Sequence, residues 1–375
     1  MKTCSYCGKE NEIAVASCQE CGTDYPLTRA EVAPELPPPK FIDATEIRAA
    51  FEFAESFHRV DWEIVRKWIE THVHAENREQ AWAEVALLWV SQLREDVGRN
   101  YFVLQSRQTV LLSDLPLAMA QWLLDYAGNV EQTIKRHLGS IAWHGAIGKD
   151  VILIFSDQDD YYHYIAHHYP EGEHPTSGGI CIHSGYTHVA LPWNNEFDAA
   201  NGIVHELTHD CLAHLSLPIW LNEGVAVTLQ KLIAPPQPGF AQGTGDAIYG
   251  AQINWQPPMM WDELAERHFA FWTEENIQSF WAGTSYEEPG DANELSYSLA
   301  EVFVKLLSER GSGEKFQAFL QAAQSDDAGQ TAALDILGAD LGEIAGTFLG
   351  EGNWRPQRKA MAEFREKAGW NEMET

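Results

Sequence analysis

Apolar residues recur at three- and four-residue spacing over 43–58, 61–74 and 76–97, which predicts three helices. In the third, Trp82, Val85, Ala86, Trp89, Val90 and Leu93 form one stripe. Short apolar runs at Tyr101–Gln105 and Thr109–Leu112 predict strands. A long helix is expected from Pro116 to His137, with proline in its first turn. Val151–Phe155 is rich in branched residues and reads as a strand, and Asp157 is placed to cap the helix after it. Gly179–His183 and Thr187–Leu191 read as a hairpin around Ser184 and Gly185. One helix begins near Phe197 and another near Pro218, and residues 234–290, rich in Pro, Gly and Trp, are expected to be mostly loop. Helical spacing returns near 293–309, 313–324, 328–337 and 340–349. A few strands among many helices predict an α+β fold, mainly helical, with a small mixed sheet.

Composition divides the 375 residues into parts. Residues 1–25 hold two cysteine pairs, 26–40 are a Pro-rich linker, 41–98 are a helical region without recognisable chemistry, and 99–375 carry the chemical motifs. The formal net charge of −30 opposes binding to phosphate backbones and to anionic membrane surfaces, so neither nucleic acid nor membrane is an expected partner. No run approaches the roughly 18 apolar residues that a membrane span needs. The first residues, MKTCSYCGKENE, lack the apolar segment of a secretory signal, and the cysteine usage suits a reducing compartment, so a cytoplasmic location is expected.

Cys4-x2-Cys7 and Cys18-x2-Cys21 offer four thiolates, each pair followed by a glycine, Gly8 or Gly22. Four sulfurs complete a tetrahedral zinc site and leave no open position, so the expected role is structural. Iron is the lesser alternative for the same cage. So short a segment cannot fold on core burial alone, and metal would supply its folding energy. The segment resembles the zinc-ribbon modules found at the start of many prokaryotic proteins. That resemblance implies a protein-contact role.

The central motif is His205-Glu206-Leu207-Thr208-His209. On a helix, residues i and i+4 share a face, so His205 and His209 can offer nitrogens to one metal ion. Glu206 projects beside that ion and can take a proton from a metal-bound water and return it to a leaving amine. Two histidines need a third protein ligand if the fourth position is to stay open for water. Glu223, in Pro218-Ile-Trp-Leu-Asn-Glu-Gly-Val-Ala226, is placed to supply it from a neighbouring antiparallel helix. Gly224 and Ala226 are small and permit close helix packing.

The WLNEGVA segment resembles the third-ligand segment of aminopeptidase N-like gluzincins, but the thirteen residues between His209 and Glu223 are fewer than in that family. The short spacing is more similar to bacterial peptidase MA-like gluzincin domains. The resemblance implies a zincin fold over roughly residues 100–350, one catalytic zinc on His205, His209 and Glu223, Glu206 as general base and acid, and a peptide or protein substrate. Such domains often carry a further acidic residue after the Glu-Gly pair, where this chain has Val227-Thr-Leu-Gln230. Tyr297 begins a helix, as does the tyrosine that stabilises the oxyanion in the aminopeptidases, and the likeness implies that role here. In this superfamily the strand before the motif helix often forms the cleft edge, which points to Thr187–Ala190. His183 and His188 are then expected as polar edge-strand residues, and Asp210 is one candidate to hold a ligand histidine by its second nitrogen. No terminus-binding motif precedes the HExxH motif, which favours cleavage within chains. Two other readings stay open: a zinc-binding scaffold without activity, and a metal-dependent hydrolase of a non-peptide amide or ester.

Overall fold

The computed structural model describes residues 2–3, 10–11, 38–54, 56–98, 100–143, 148–169, 178–235 and 260–370. Cys4, Cys7, Cys18 and Cys21, and His174, lie outside the described residues, as does most of the Pro-rich linker. The described chain is mainly helical with a small mixed sheet. No described helix is long and apolar enough to cross a membrane. By internal packing the chain forms two compact units, which divide within the long helix Leu117–Leu138.

The first unit comprises Met1–Asn129, Ala146–His174 and Gly178–Asn195. Near its start, β1 (Lys2–Thr3) pairs antiparallel with β2 (Glu10–Asn11). Residues 43–58 do not form the single helix expected. Asp43 caps a five-residue helix, α1 (Ala44–Arg48), and the chain then enters a hairpin of β3 (Phe51–Ala54) and β4 (Phe57–Val60). Phe51 and Phe53 stand two apart, and aromatic residues at that spacing suit a pleated strand. Asp96 fixes the hairpin by accepting from the His58 backbone N–H at 2.8 Å and pairing with its Nδ1 at 2.9 Å. The next two helices are as expected, α2 (Trp62–His72) capped by Asp61, and α3 (Arg78–Val97).

The main sheet has strand order β5-β6-β7-β9-β8, from β5 (Phe102–Gln105), β6 (Thr109–Ser113), β7 (Asp150–Phe155), β8 (Ile180–Ile182) and β9 (His188–Pro192). The inner pairs β6–β7 and β7–β9 are parallel and the outer pairs antiparallel. The alternate residues Val110, Leu112, Val151, Leu153, Phe155 and Ala190 share one core with Val65, Ile69, Val85, Ala86 and Val90 of α2 and α3. The region 41–98 is therefore part of the sheet's own core, as period-2 burial on one face requires a covering layer. Its strand order also corrects the expected cleft edge. Val189 and Ala190 of β9 are paired on both sides, to β7 and to β8, so that strand has no free edge for a peptide.

The second unit comprises Val130–Gly145, Pro175–Ser177 and Glu196–Thr375. After the long helix α4 (Leu117–Leu138) and α5 (Gln158–Ala166), the chain forms α6 (Glu196–Leu212) and α7 (Ile219–Ile233). Where loop was expected, the described part of 234–290 is α8 (Met260–Phe271), α9 (Ile277–Ala282) and a short turn. Averaging over the Pro- and Gly-rich residues before it hides a stretch from Met260 to Phe271 that contains neither breaker. Then come α10 (Asp291–Ser308), α11 (Gly313–Ala322), a short helical stretch over 330–337 whose last five residues are π-helical, as expected near 328–337, α12 (Leu341–Leu349) and a helix not anticipated, α13 (Arg358–Lys367). Trp220, Phe280, Trp281 and Phe303 are fully buried and pack ring against ring at the centre of this unit.

Candidate metal centre

The site is built in the second unit, from α6, α7 and α10. Apolar Ile203, Val204 and Leu207 seat α6 in the core, which leaves His205 and His209 together on its polar face one turn apart. Their rings meet edge to face with centroids 4.7 Å apart. Pro218, with its fixed φ, precedes α7, and Trp220 anchors the first turn by donating its indole N–H to the Ala328 carbonyl at 3.0 Å. That anchor sets the position of Glu223 a turn later. The two helices run antiparallel: His209 meets Glu223, His205 meets Glu223 and Gln230, and Asn201 meets Gln230.

His205 Nε2 lies 3.1 Å from one Glu223 carboxylate oxygen, and His209 Nε2 lies 3.5 Å from the other. One ligand atom from each of the three residues falls within 4.8 Å of the others. Two imidazole nitrogens and one carboxylate oxygen are a donor set that suits zinc and leaves room for a fourth, non-protein ligand. The electrostatics agree with that geometry. Burial pulls the His209 imidazole down, but the Glu223 carboxylate, with smaller help from Glu206 and Asn222, outweighs it and lifts the group to about 9. Burial would raise Glu223, yet the two imidazoles hold its carboxyl well below the usual range. The Glu223 carboxylate is thus held in charged form beside the two imidazoles, and a cation there would take the place of the proton on His209.

On the side away from Glu223, His205 has a bonded partner from α7 and His209 has a neighbour from the same helix. His205 Nδ1 meets Gln230 Oε1 at 3.1 Å. The buried Nδ1 of His209 and the buried Oδ1 of Asn222 each lack a well-formed bond elsewhere, and Asn222 adds to the stabilisation of protonated His209. Asp210 does not hold either histidine. It lies by Glu131 and Lys135, and burial, aided by Glu131, raises its carboxyl to about 6. Sequence reasoning missed Asn222 and Gln230. Their signal was positional: Asn222 directly precedes Glu223, and Gln230 follows it by two helical turns on the same face.

Glu206 is buried, 6% exposed, beside the site and close enough to raise His209 and Tyr297. Tyr297, in the second turn of α10, lies with its ring centroid 6.3 Å from that of His205. Burial, then the carboxylates of Glu223 and Glu206, push its phenol well up, so it stays a hydrogen-bond donor at neutral pH. Gly224 explains how α10 comes so close. A Cβ there would meet the Ala300 carbonyl oxygen at 2.7 Å and a Val304 methyl at 2.7 Å. Tyr286, not anticipated, packs edge to face on Tyr297 at 5.0 Å and donates to the Ser296 carbonyl at 3.2 Å.

The other histidines do different work. His188 is not an edge residue but is buried in the inner strand β9. Its Nδ1 donates to the Tyr186 carbonyl at 2.8 Å and its Nε2 faces the Tyr164 hydroxyl at 2.6 Å. Both nitrogens are used, so it has no lone pair to offer. His183 and His214 are exposed, the latter edge to face with Trp143. His268 is fully buried: Trp272 can only donate to its Nδ1, which leaves its Nε2–H for Ser298.

No protein-family model matches the chain, and no curated protein matches it. The residues of the site therefore carry the functional argument alone.

Proposed function

We propose that this protein is a zinc-dependent peptide hydrolase of the HExxH gluzincin type, with His205, His209 and Glu223 as metal ligands. The observation that carries the reading is the convergence of two Nε2 atoms from one helix and the Glu223 carboxylate from the next, with a buried Glu206 alongside. A zinc ion held there would polarise a substrate carbonyl and acidify a bound water. Glu206 would take the proton of the attacking water and pass it to the leaving nitrogen. Tyr297, kept protonated by its surroundings, would donate a hydrogen bond to the oxygen that gains charge as the carbonyl is attacked. Gln230 keeps the His205 ring turned towards Glu223, and Asn222 would do the same for His209.

Cys4, Cys7, Cys18 and Cys21 would hold a second, structural zinc, and the segment around them would bind a protein partner. A cytoplasmic setting, with reduced thiols, belongs to the same proposal. The test is the metal content of the full chain beside its His205→Ala variant, followed by a peptide library with wild type and Glu206→Gln. The reading requires one zinc per chain to be lost with His205, and hydrolysis to be lost with Glu206 while that zinc stays. A folded wild type with no more zinc than the His205→Ala variant would refute it. Zinc retained without any peptide or ester hydrolysis would leave a binding scaffold instead.

A further inference from the structure

His205 is held on the side away from Glu223 by a chain of neutral groups. Asn201 donates its Nδ2–H to the Phe197 carbonyl at 2.7 Å, Gln230 donates its Nε2–H to Asn201 Oδ1 at 3.1 Å, and Gln230 Oε1 lies 3.1 Å from His205 Nδ1. The direction of this chain follows from its far end. A backbone carbonyl can only accept, so Asn201 must turn its amide nitrogen to Phe197 and its oxygen to Gln230. Gln230 must then present nitrogen to Asn201 and oxygen to the imidazole. His205 Nδ1 therefore carries a hydrogen, and Nε2 is the nitrogen left for an electrophile. Placement is as determinate as polarity. Asn201 and His205 are one turn apart on α6, and Gln230 is two turns beyond Glu223 on α7, so the helix pair that makes the site also makes the chain.

We propose that Gln230 and Asn201 form an uncharged relay that positions His205 for metal binding, in the place where a carboxylate would otherwise serve. The proposal rests on the metal-centre reading above. Its physical reason is charge. Glu206 and Glu223 already bring two carboxylates to the centre, and a third, partly buried and partnered only by a neutral ring, would carry some desolvation cost with no cation of its own. A carboxamide supplies the same oriented acceptor without that charge. Gln230 and Asn201 are positioning residues, since neither reaches the point where the three ligand atoms converge. A neutral acceptor also draws less electron density onto the ring than a carboxylate, which leaves the metal a stronger Lewis acid at some loss of affinity.

The test is zinc affinity of the full chain by chelator competition, with His205→Ala as the blank for metal held elsewhere. It is paired with 15N spectra of the histidine rings. Gln230→Ala should weaken binding at the His205 site roughly 10- to 100-fold and remove the protected Nδ1–H signal of His205. Gln230→Glu should bring part of both back, because the acceptor is restored while an oxygen now faces Asn201 Oδ1. Asn201→Ala should weaken binding less, roughly threefold, by freeing the Gln230 amide to turn. If wild type binds zinc above the blank and Gln230→Ala binds equally well, the relay is refuted and the metal centre stands. If Gln230→Glu is no better than Gln230→Ala, Gln230 is a packing residue and the relay is refuted. If wild type does not exceed the blank, the metal centre and the relay fall together.

Discussion

His188 and His209 are both withdrawn from solvent, and their imidazoles are driven in opposite directions. Burial is the largest influence on each and acts with the same sign, against the charged form. His188 has only a carbonyl and a phenol as bonded partners, and burial, with nearby histidines, takes it down to about 3. His209 has the Glu223 carboxylate and goes up to about 9. The difference lies in where the lone pairs go. In the sheet unit both nitrogens of His188 are consumed by the fold, and the ring is a strut. In the helical unit His205 and His209 turn their Nε2 atoms to one shared carboxylate, and the fold uses only the Nδ1 of His205.

Four outcomes would break or sharpen that contrast. The largest effect is expected at Glu206. Glu206→Gln removes the proton carrier but no ligand, and should lower peptide turnover roughly 10²- to 10⁴-fold with zinc content unchanged by elemental analysis. An equal loss of zinc would mean that Glu206 is part of the charge balance of the site rather than its chemistry. Tyr297→Phe comes next. It removes one donor to a developing oxyanion and should lower kcat roughly 10²-fold with KM and zinc little changed. Unaltered kcat would return Tyr297 to the role of a packed ring.

Gly224→Ala tests the packing that joins the two halves of the site. The added methyl runs into backbone at Ala300, which cannot swing aside as a side chain can. Stability in urea should fall by roughly 1–3 kcal/mol, and a matched substitution at exposed Gly350→Asn should cost less. The smallest effect concerns His188 in acid. Its folded-state value is depressed, so below pH 6.5 the unfolded chain takes up a proton that the folded chain refuses. The stability it contributes is whole above pH 6.5 and begins to be lost below it, by less than about 1 kcal/mol at pH 6. His188→Gln, which keeps a donor and an acceptor, should flatten that part of the profile without touching zinc binding. A profile as steep as wild type would show that other groups govern the acid limb.

Much of this was legible along the chain, and the parts that were not have a common cause. Asp157 and Pro218 marked helix starts that the structure keeps, because caps act on their own neighbours. The hairpin around Gly185 was legible too, since that glycine takes a positive φ of 84° that few other residues tolerate. The second hairpin, over Phe51–Val60, was misread as helix because its aromatic spacing fits either period until a partner strand is known. Strand order was not legible at all. Whether β9 is an edge or a centre depends on β7, which lies more than thirty residues back in sequence.

The candidate site divides along the same line. His205, Glu206 and His209 share one helix, so their common face follows from 3.6 residues per turn, and the short link to Glu223 limits where the fourth group can be. The four-cysteine site is an expectation from spacing alone and lies outside the described residues. What only the tertiary structure decided is everything carried between helices: that Gln230 bonds the His205 ring while Asp210 bonds neither, that Tyr297 comes beside His205, and that Gly224 makes room for it. Local patterns are set by bonds along the chain and can be read there. Contacts between elements depend on how two faces settle against each other, and no stretch of sequence holds both.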